Sequence, residues 1–196
     1  KKSHKAKAAV LGLGAAIMLT GCSVISTAPN ERALHYDAGP FSSTQFENCV
    51  HPGTREFNGP ADEHYTYPAG QRNYQFIPEN GDAPLIEAFT SNPATVYVEG
   101  VVSFQVASDC DTLREFHERI GAQHSWTEIL NIYLGQPTRR AVTEATNKFT
   151  WEELLNDDAK KREWEQLVKK LLPTYVDQAA GGDYFSIDAV TLQKPR

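Results

Sequence analysis

Basic residues, cysteines and long apolar runs are all in short supply in this sequence. Lysine and arginine together number 19 against 25 acidic residues, a net charge of −6. A surface of that sign argues against a nucleic-acid partner and against polybasic attraction to anionic lipid. There are three cysteines and no CxxC pair, so dithiol redox chemistry has no starting point. No Gly-x-Ser-x-Gly elbow or phosphate-binding loop occurs either. Gly12-Leu13-Gly14 begins like a nucleotide loop, but no strand precedes it to present a phosphate. His117-Glu118 opens like the zinc motif HExxH. The second histidine position is Gly121, however, and His124 lies seven residues from His117, off the spacing that puts two imidazoles on one helix face. His35, His51 and His64 fall in expected strands or turns without metal-site spacing. No catalytic residue, metal or cofactor is assigned, and the chain is read as a non-enzyme.

The apolar stretch from Ala8 to Thr20 has 13 residues, whereas a spanning helix needs about 20. Lys1, Lys2, Lys5 and Lys7 precede it and small residues follow, the three regions of a secretion signal in order. It ends in Leu19-Thr20-Gly21-Cys22, which looks like a bacterial lipobox. On that reading residues 1–21 are a signal peptide, cleavage falls between Gly21 and Cys22, and Cys22 carries the lipid, with palmitate-type acyl chains holding the chain on the membrane. Two or three chains hold far better than one. The competing readings are an uncleaved short anchor and an ordinary signal with an incidental cysteine. Cleavage removes four lysines and no acid, leaving 15 basic residues against 25 acidic and a net charge of −10. Attachment then rests on the lipid. Residues 22–30, small, polar and interrupted by Pro29, suit a flexible tether, and the folded part is expected from Glu31.

Cys49 and Cys110 remain, in a compartment where disulfides persist. They form either one bridge or two separate buried thiols, and sequence alone does not choose between these.

From 31 to 110 the chain reads as strands. "RALHYD", "TQFENCV", "HYTYP", "RNYQF" and "LIEAFT" are short, aromatic or β-branched, and separated by Gly, Pro and Asn. In "TVYVEGVVSFQV", Val96, Val98, Val102, Phe104 and Val106 fall on one face, which predicts a half-buried strand. The "SNPA" turn before it predicts a hairpin with "PLIEAFT". Tyr65, Tyr67, Tyr74 and Phe76 alternate as strand residues and are read as sheet core. From 111 to 196 the period is mainly helical. Asp111 is expected to cap "TLREFHERI", stopped by Gly121. Ser125 and Glu128 form a capping box for "WTEILNIYL", stopped by Gly135. Pro137 suits the first turn of a helix with Ala141, Ala145 and Phe149 on one stripe. Thr150 and Glu153 box a further helix, and a long one runs from about Ala159, bent at Pro173 and ended by Gly181-Gly182. "YFSIDAVTLQKP" is a final strand returning to the sheet, so the class is α+β.

The order of these elements resembles the SPFH or band 7 domain of stomatins, prohibitins and flotillins over about residues 30–195. Its carriers are "PNERALHYDAGPF", similar to the family's opening strand, and "VHPGTREFNGPADEHYTYPAGQRNYQF", similar to its Pro-Gly turn and tyrosine-proline strand. "TSNPATVYVEGVVSFQV" and "RRAVTEATNKFTWEELL" follow in family order, then a closing strand after Gly-Gly. The resemblance implies a membrane-attached, non-enzymatic scaffold that assembles side by side as a homo-oligomer, organising a membrane patch or governing a membrane protease or other membrane protein. Two departures stand out. These 196 residues hold no heptad repeat, where relatives often continue into a coiled coil, and a lipid stands where many use a hairpin or transmembrane helix. With Cys22, the expected location is the extracytoplasmic side of a bacterial cell membrane. The competing function is a ligand-binding or hydrolytic surface lipoprotein with a cleft between its two halves.

Overall fold

The computed structural model describes residues 23–39 and 43–196. Its first half is a succession of short antiparallel strands: β1 (Ser23–Ser26), β2 (Glu31–Asp37), β3 (Gln45–Val50), β4 (Arg55–Asn58), β5 (Glu63–Pro68), β6 (Arg72–Phe76), β7 (Ile86–Phe89), β8 (Thr95–Val98) and β9 (Gly100–Val106). They pair as a β1–β4 ribbon, a sheet in the order β3-β2-β5, a β7–β8 hairpin, and a sheet in the order β10-β9-β6. The last of these is completed by β10 (Phe185–Leu192), near the end of the chain. The expected α+β architecture, β-rich first and helical after, with a closing strand, is the one observed.

Alternation explains the central strand. Val102, Phe104 and Val106 of β9 are buried, as are Val96 and Val98 of β8, all on one face of a period-two pattern. The sequence reads this stretch as one strand; the structure divides it at Glu99. There the backbone carbonyl accepts a hydrogen bond from the Gln193 N–H at 2.9 Å, and Tyr97 and Arg196 exchange backbone bonds beyond it. The chain after β10 thus runs along β8, and β8 turns away to pair with β7 in the expected hairpin.

The helices are α1 (Cys110–Phe116), α2 (Trp126–Ile129), α3 (Gln136–Thr146), α4 (Trp151–Asn156) and α5 (Asp158–Ala180). Wide π-helical turns at His117–Gly121 and Leu130–Gly135 extend α1 and α2. Both capping boxes, Ser125 with Glu128 and Thr150 with Glu153, are in place. The first cap is Asp109 and not Asp111: its carboxylate accepts from the Thr112 N–H at 2.8 Å, while Asp111 sits inside the first turn. Gly181 ends α5 with a left-handed φ of 71°, a conformation that costs glycine little. The helix runs continuously through Pro173. It buries Trp164, Val168, Leu172, Val176 and Ala180, a stripe repeating every fourth residue against α3 and β10.

The expected stop at Gly135 is not one. Its backbone is right-handed helical, φ −64°, and the chain passes straight into α3. A Cβ there would stand 2.5 Å from the Tyr74 hydroxyl, and one at Gly121 would stand 2.1 Å from the Tyr67 hydroxyl. Both glycines are therefore places where helix backbone closes on a tyrosine of the sheet.

The tether expectation is also corrected over most of its length. Residues 23–26 are β1, paired residue for residue with β4 from Ser23↔Asn58 to Ser26↔Arg55. Ile25 is 2 % exposed and packs with Ala33 and Val50. Pro29 lies in the turn that delivers the chain to β2, closed by Glu31 N–H to the Ala28 carbonyl at 3.0 Å. One apolar side chain in a four-residue stretch suffices to order it, because the partner strand supplies the main-chain bonds.

Candidate functional site

Three features of the β-rich half carry unusual chemistry. The first is the outward face of the β1–β4 ribbon. Cross-strand partners share a face, and the pair Val24↔Phe57 is exposed at 58 % and 62 %. Ser26 and Arg55 continue that face. Ile25, next along β1, points the other way into the core. Two large apolar side chains held side by side in water, with a cation beside them, are a surface that gains by being covered. Val24 is two residues from Cys22.

The second is a pair of buried histidines. His35, on β2, is 2 % exposed; its Nε2 is hydrogen-bonded to Asp62 Oδ2 at 3.0 Å. Its Nδ1 stands 3.2 Å from Glu47 and 3.7 Å from Glu56. The Gly59 N–H, then His35, hold the Asp62 carboxyl below its ordinary range. That carboxylate also takes the Ala38 N–H at 3.3 Å, so His35 ties β2 to the loop after β4. His117, at the end of α1, is packed among the rings of Tyr36, Tyr65 and Tyr67. Its Nδ1 meets the Tyr67 hydroxyl at 2.5 Å. Burial pushes the Tyr67 phenol up and the Tyr36 phenol up to about 12, so both keep their protons and Tyr67 donates. Burial also lowers the basicity of His117.

The sign of that last shift gives a prediction. The unfolded chain takes up a proton at His117 near pH 6.5, whereas the folded chain takes it up only at lower pH. The contribution is full above about pH 6.5 and is lost as pH falls below it, by at most about 1.4 kcal/mol per pH unit. The thermal midpoint should therefore drop more steeply between about pH 7 and pH 5 in the native protein than in His117→Gln, measured in parallel. Equal slopes would show that His117 carries none of it. The carboxylates held low, Asp62 and Asp109, act at more acidic pH.

The third feature is an open groove of about 440 Å³ beside β5, with His64 to Pro68 on one side and Trp126 and Ile129 on the other. Glu31 and Arg72 stand at its Pro68 end.

Over this architecture, the model of the SPFH domain / Band 7 family matches residues 25–196. The chain belongs to the SPFH domain / Band 7 family. No curated protein matches it. The matched range begins inside β1 and takes in Ile25, Ser26 and all of β4. Members of the family are in general membrane-associated scaffolds and not enzymes. Among the described residues no helix is long and apolar enough to cross a membrane.

The residues singled out in the sequence are distributed as follows. Gly21 and Cys22, the expected cleavage and lipid-attachment positions, lie outside the described residues. Cys49 on β3 and Cys110 at the start of α1 are disulfide-bonded, with Cα atoms 6.0 Å apart. Among the described residues no cluster of three or more histidine, cysteine or acidic side chains forms a metal site. Tyr67, Tyr74 and Phe76 are buried as expected, but Tyr65 is 36 % exposed and lines the groove. The ribbon escaped the sequence reading because β1 and β4 have four residues each. Within so short a span, alternation separates a strand poorly from a loop.

Proposed function

We propose that this SPFH domain is a lipid-anchored scaffold on the extracytoplasmic face of a bacterial membrane, with Cys22 as the lipid-bearing residue. Its domains associate laterally and organise membrane or regulate membrane-protein complexes. The observation that carries the reading is the exposed Val24–Phe57 pair, two residues after the lipobox cysteine, at the end of the domain where an acylated amino terminus would enter the bilayer. An apolar pair at that place has a ready cover in the interfacial region of the membrane. Restriction to two dimensions raises the effective concentration of neighbouring domains, so weak side-by-side contacts suffice for assembly.

Negative-stain microscopy tests assembly directly. The lipidated chain extracted in mild detergent is expected to form rings or arrays, and a soluble form beginning at Ser23 is expected to be largely monomeric at the same concentration. Uniform single particles from both would overturn the scaffold reading.

A further inference from the structure

We propose that the outer edge of β5 receives an extended segment of a partner polypeptide as an added strand, with a large apolar side chain of that segment seated against Trp126. The proposal goes beyond the scaffold reading and does not depend on the modification of Cys22.

It rests on which backbone groups of β5 are left over. In an antiparallel pair, directly opposed residues alternate between exchanging hydrogen bonds and exchanging none. The β2–β5 register pairs Glu31↔Pro68 through Tyr36↔Glu63, and in the same register the Ala69 N–H donates to the Asn30 carbonyl at 2.9 Å. The phase is thereby fixed. Tyr67, Tyr65 and Glu63 turn their backbone groups inward to β2, while His64, Thr66 and the Pro68 carbonyl turn theirs out. Proline at an outward position agrees, since an edge strand accepts it there without losing a ladder bond. β5 is the terminal strand of its sheet, and among the described residues nothing accepts from the His64 or Thr66 N–H.

His64 and Thr66 are exposed and border an open groove. Gly121 brings the end of the α1 extension against Tyr67, so close that a Cβ would clash with its hydroxyl. His124 and the half-buried Trp126 line the same groove, and Ile129 beside them is buried. Unpaired main-chain donors and acceptors at strand spacing are complementary to another polypeptide backbone. The indole of Trp126 beside them gives one apolar side chain of an added strand a surface to pack on. The opposite edge of the same sheet, β3, does not meet these conditions. It is fastened to α1 by the Cys49–Cys110 disulfide and by Arg114 over the Phe46 ring at 5.1 Å, so docking β3 of a second copy here would bring a helix against Trp126.

The test uses a displayed library of short random peptides, selected against the full native protein in detergent. Enrichment of sequences with a large apolar residue and strand-like alternation is expected. Binding of a synthesised hit, followed by fluorescence polarisation, should weaken about tenfold in Thr66→Pro and less than about twofold in Thr66→Ala. The Thr66 N–H points outward, so proline there removes the docking donor without breaking the β2 ladder; an unchanged thermal midpoint verifies that the variant is folded. Hydrogen exchange at the His64 and Thr66 amides should slow when the hit is bound. No enrichment, or hits indifferent to Thr66→Pro, would overturn the proposal. Protection of these amides by rising protein concentration alone would overturn it too, by assigning the edge to self-assembly.

Discussion

Removing the Cys49–Cys110 bridge is expected to cost the fold about 4 kcal/mol and to lower its thermal midpoint by about 8–16 °C. The two cysteines are 61 residues apart, and in the chain-entropy account a cross-link over a loop of that size removes much freedom from the unfolded ensemble. The bridge also has a specific place. It joins β3, in the sheet nearest the ribbon, to the first residue of α1, and so staples the sheet to the helical layer. Cys49 is half-buried against the core, so serine in its place adds only a modest packing loss. The double variant Cys49→Ser/Cys110→Ser is cleaner than either single one, since it leaves no free thiol to exchange. Its calorimetric midpoint should coincide with that of the native protein under reductant. A loss below about 1 kcal/mol would mean that the packing around Leu113 and Phe116, both buried, holds α1 in place unaided.

Much of this molecule is legible in its residues because local rules and the global fold agree. Ser125 with Glu128, and Thr150 with Glu153, cap their helices from four-residue signals, since a cap needs only its own turn. The β7–β8 hairpin and the buried face of β9 follow from period-two alternation. Other features depend on partners distant in sequence. Gly121 ends its helical segment as read and Gly135 does not, yet both sit against Tyr67 and Tyr74 arriving from the sheet, and no local pattern announces a tyrosine that distant in sequence. Asp109 and not Asp111 is the cap because its extended backbone lets its carboxylate accept from the Thr112 N–H, a choice between two nearby aspartates that the sequence leaves open. Tyr65 alternates like its buried neighbours yet faces the groove, since periodicity gives the face of a strand and not what covers it. The Val24–Phe57 pair needs both halves of the ribbon to be seen, and each half is too short to be read alone.

That pair leads to the prediction with the largest consequence for function. A form beginning at Ser23 is expected in the soluble fraction and the native chain in the membrane fraction, because the acyl chains on Cys22 supply roughly 0.8 kcal/mol per buried CH₂. The ribbon supplies a smaller term that is visible only without the lipid. Val24 and Phe57 keep more than half of their surface exposed. Covering the remainder of both contributes about 2–3 kcal/mol, about 30- to 150-fold in partitioning. A form beginning at Ser23, which lacks residues 1–21 as well as the lipid, should therefore retain weak binding to zwitterionic vesicles, and Val24→Asp/Phe57→Asp in that background should abolish it. Neither position touches the core, since Ile25 carries the inward contact of β1, so the thermal midpoint should stay within a few degrees. Phe57→Trp adds a readout in the lipidated chain: indole emission shifted to the blue and quenched by brominated acyl chains places the ribbon in the interface. Water-exposed emission, with the lipid on Cys22 verified by mass, would leave the anchor standing and remove the ribbon from the membrane. A form beginning at Ser23 that remains in the membrane fraction, with or without the aspartates, would instead remove the anchor.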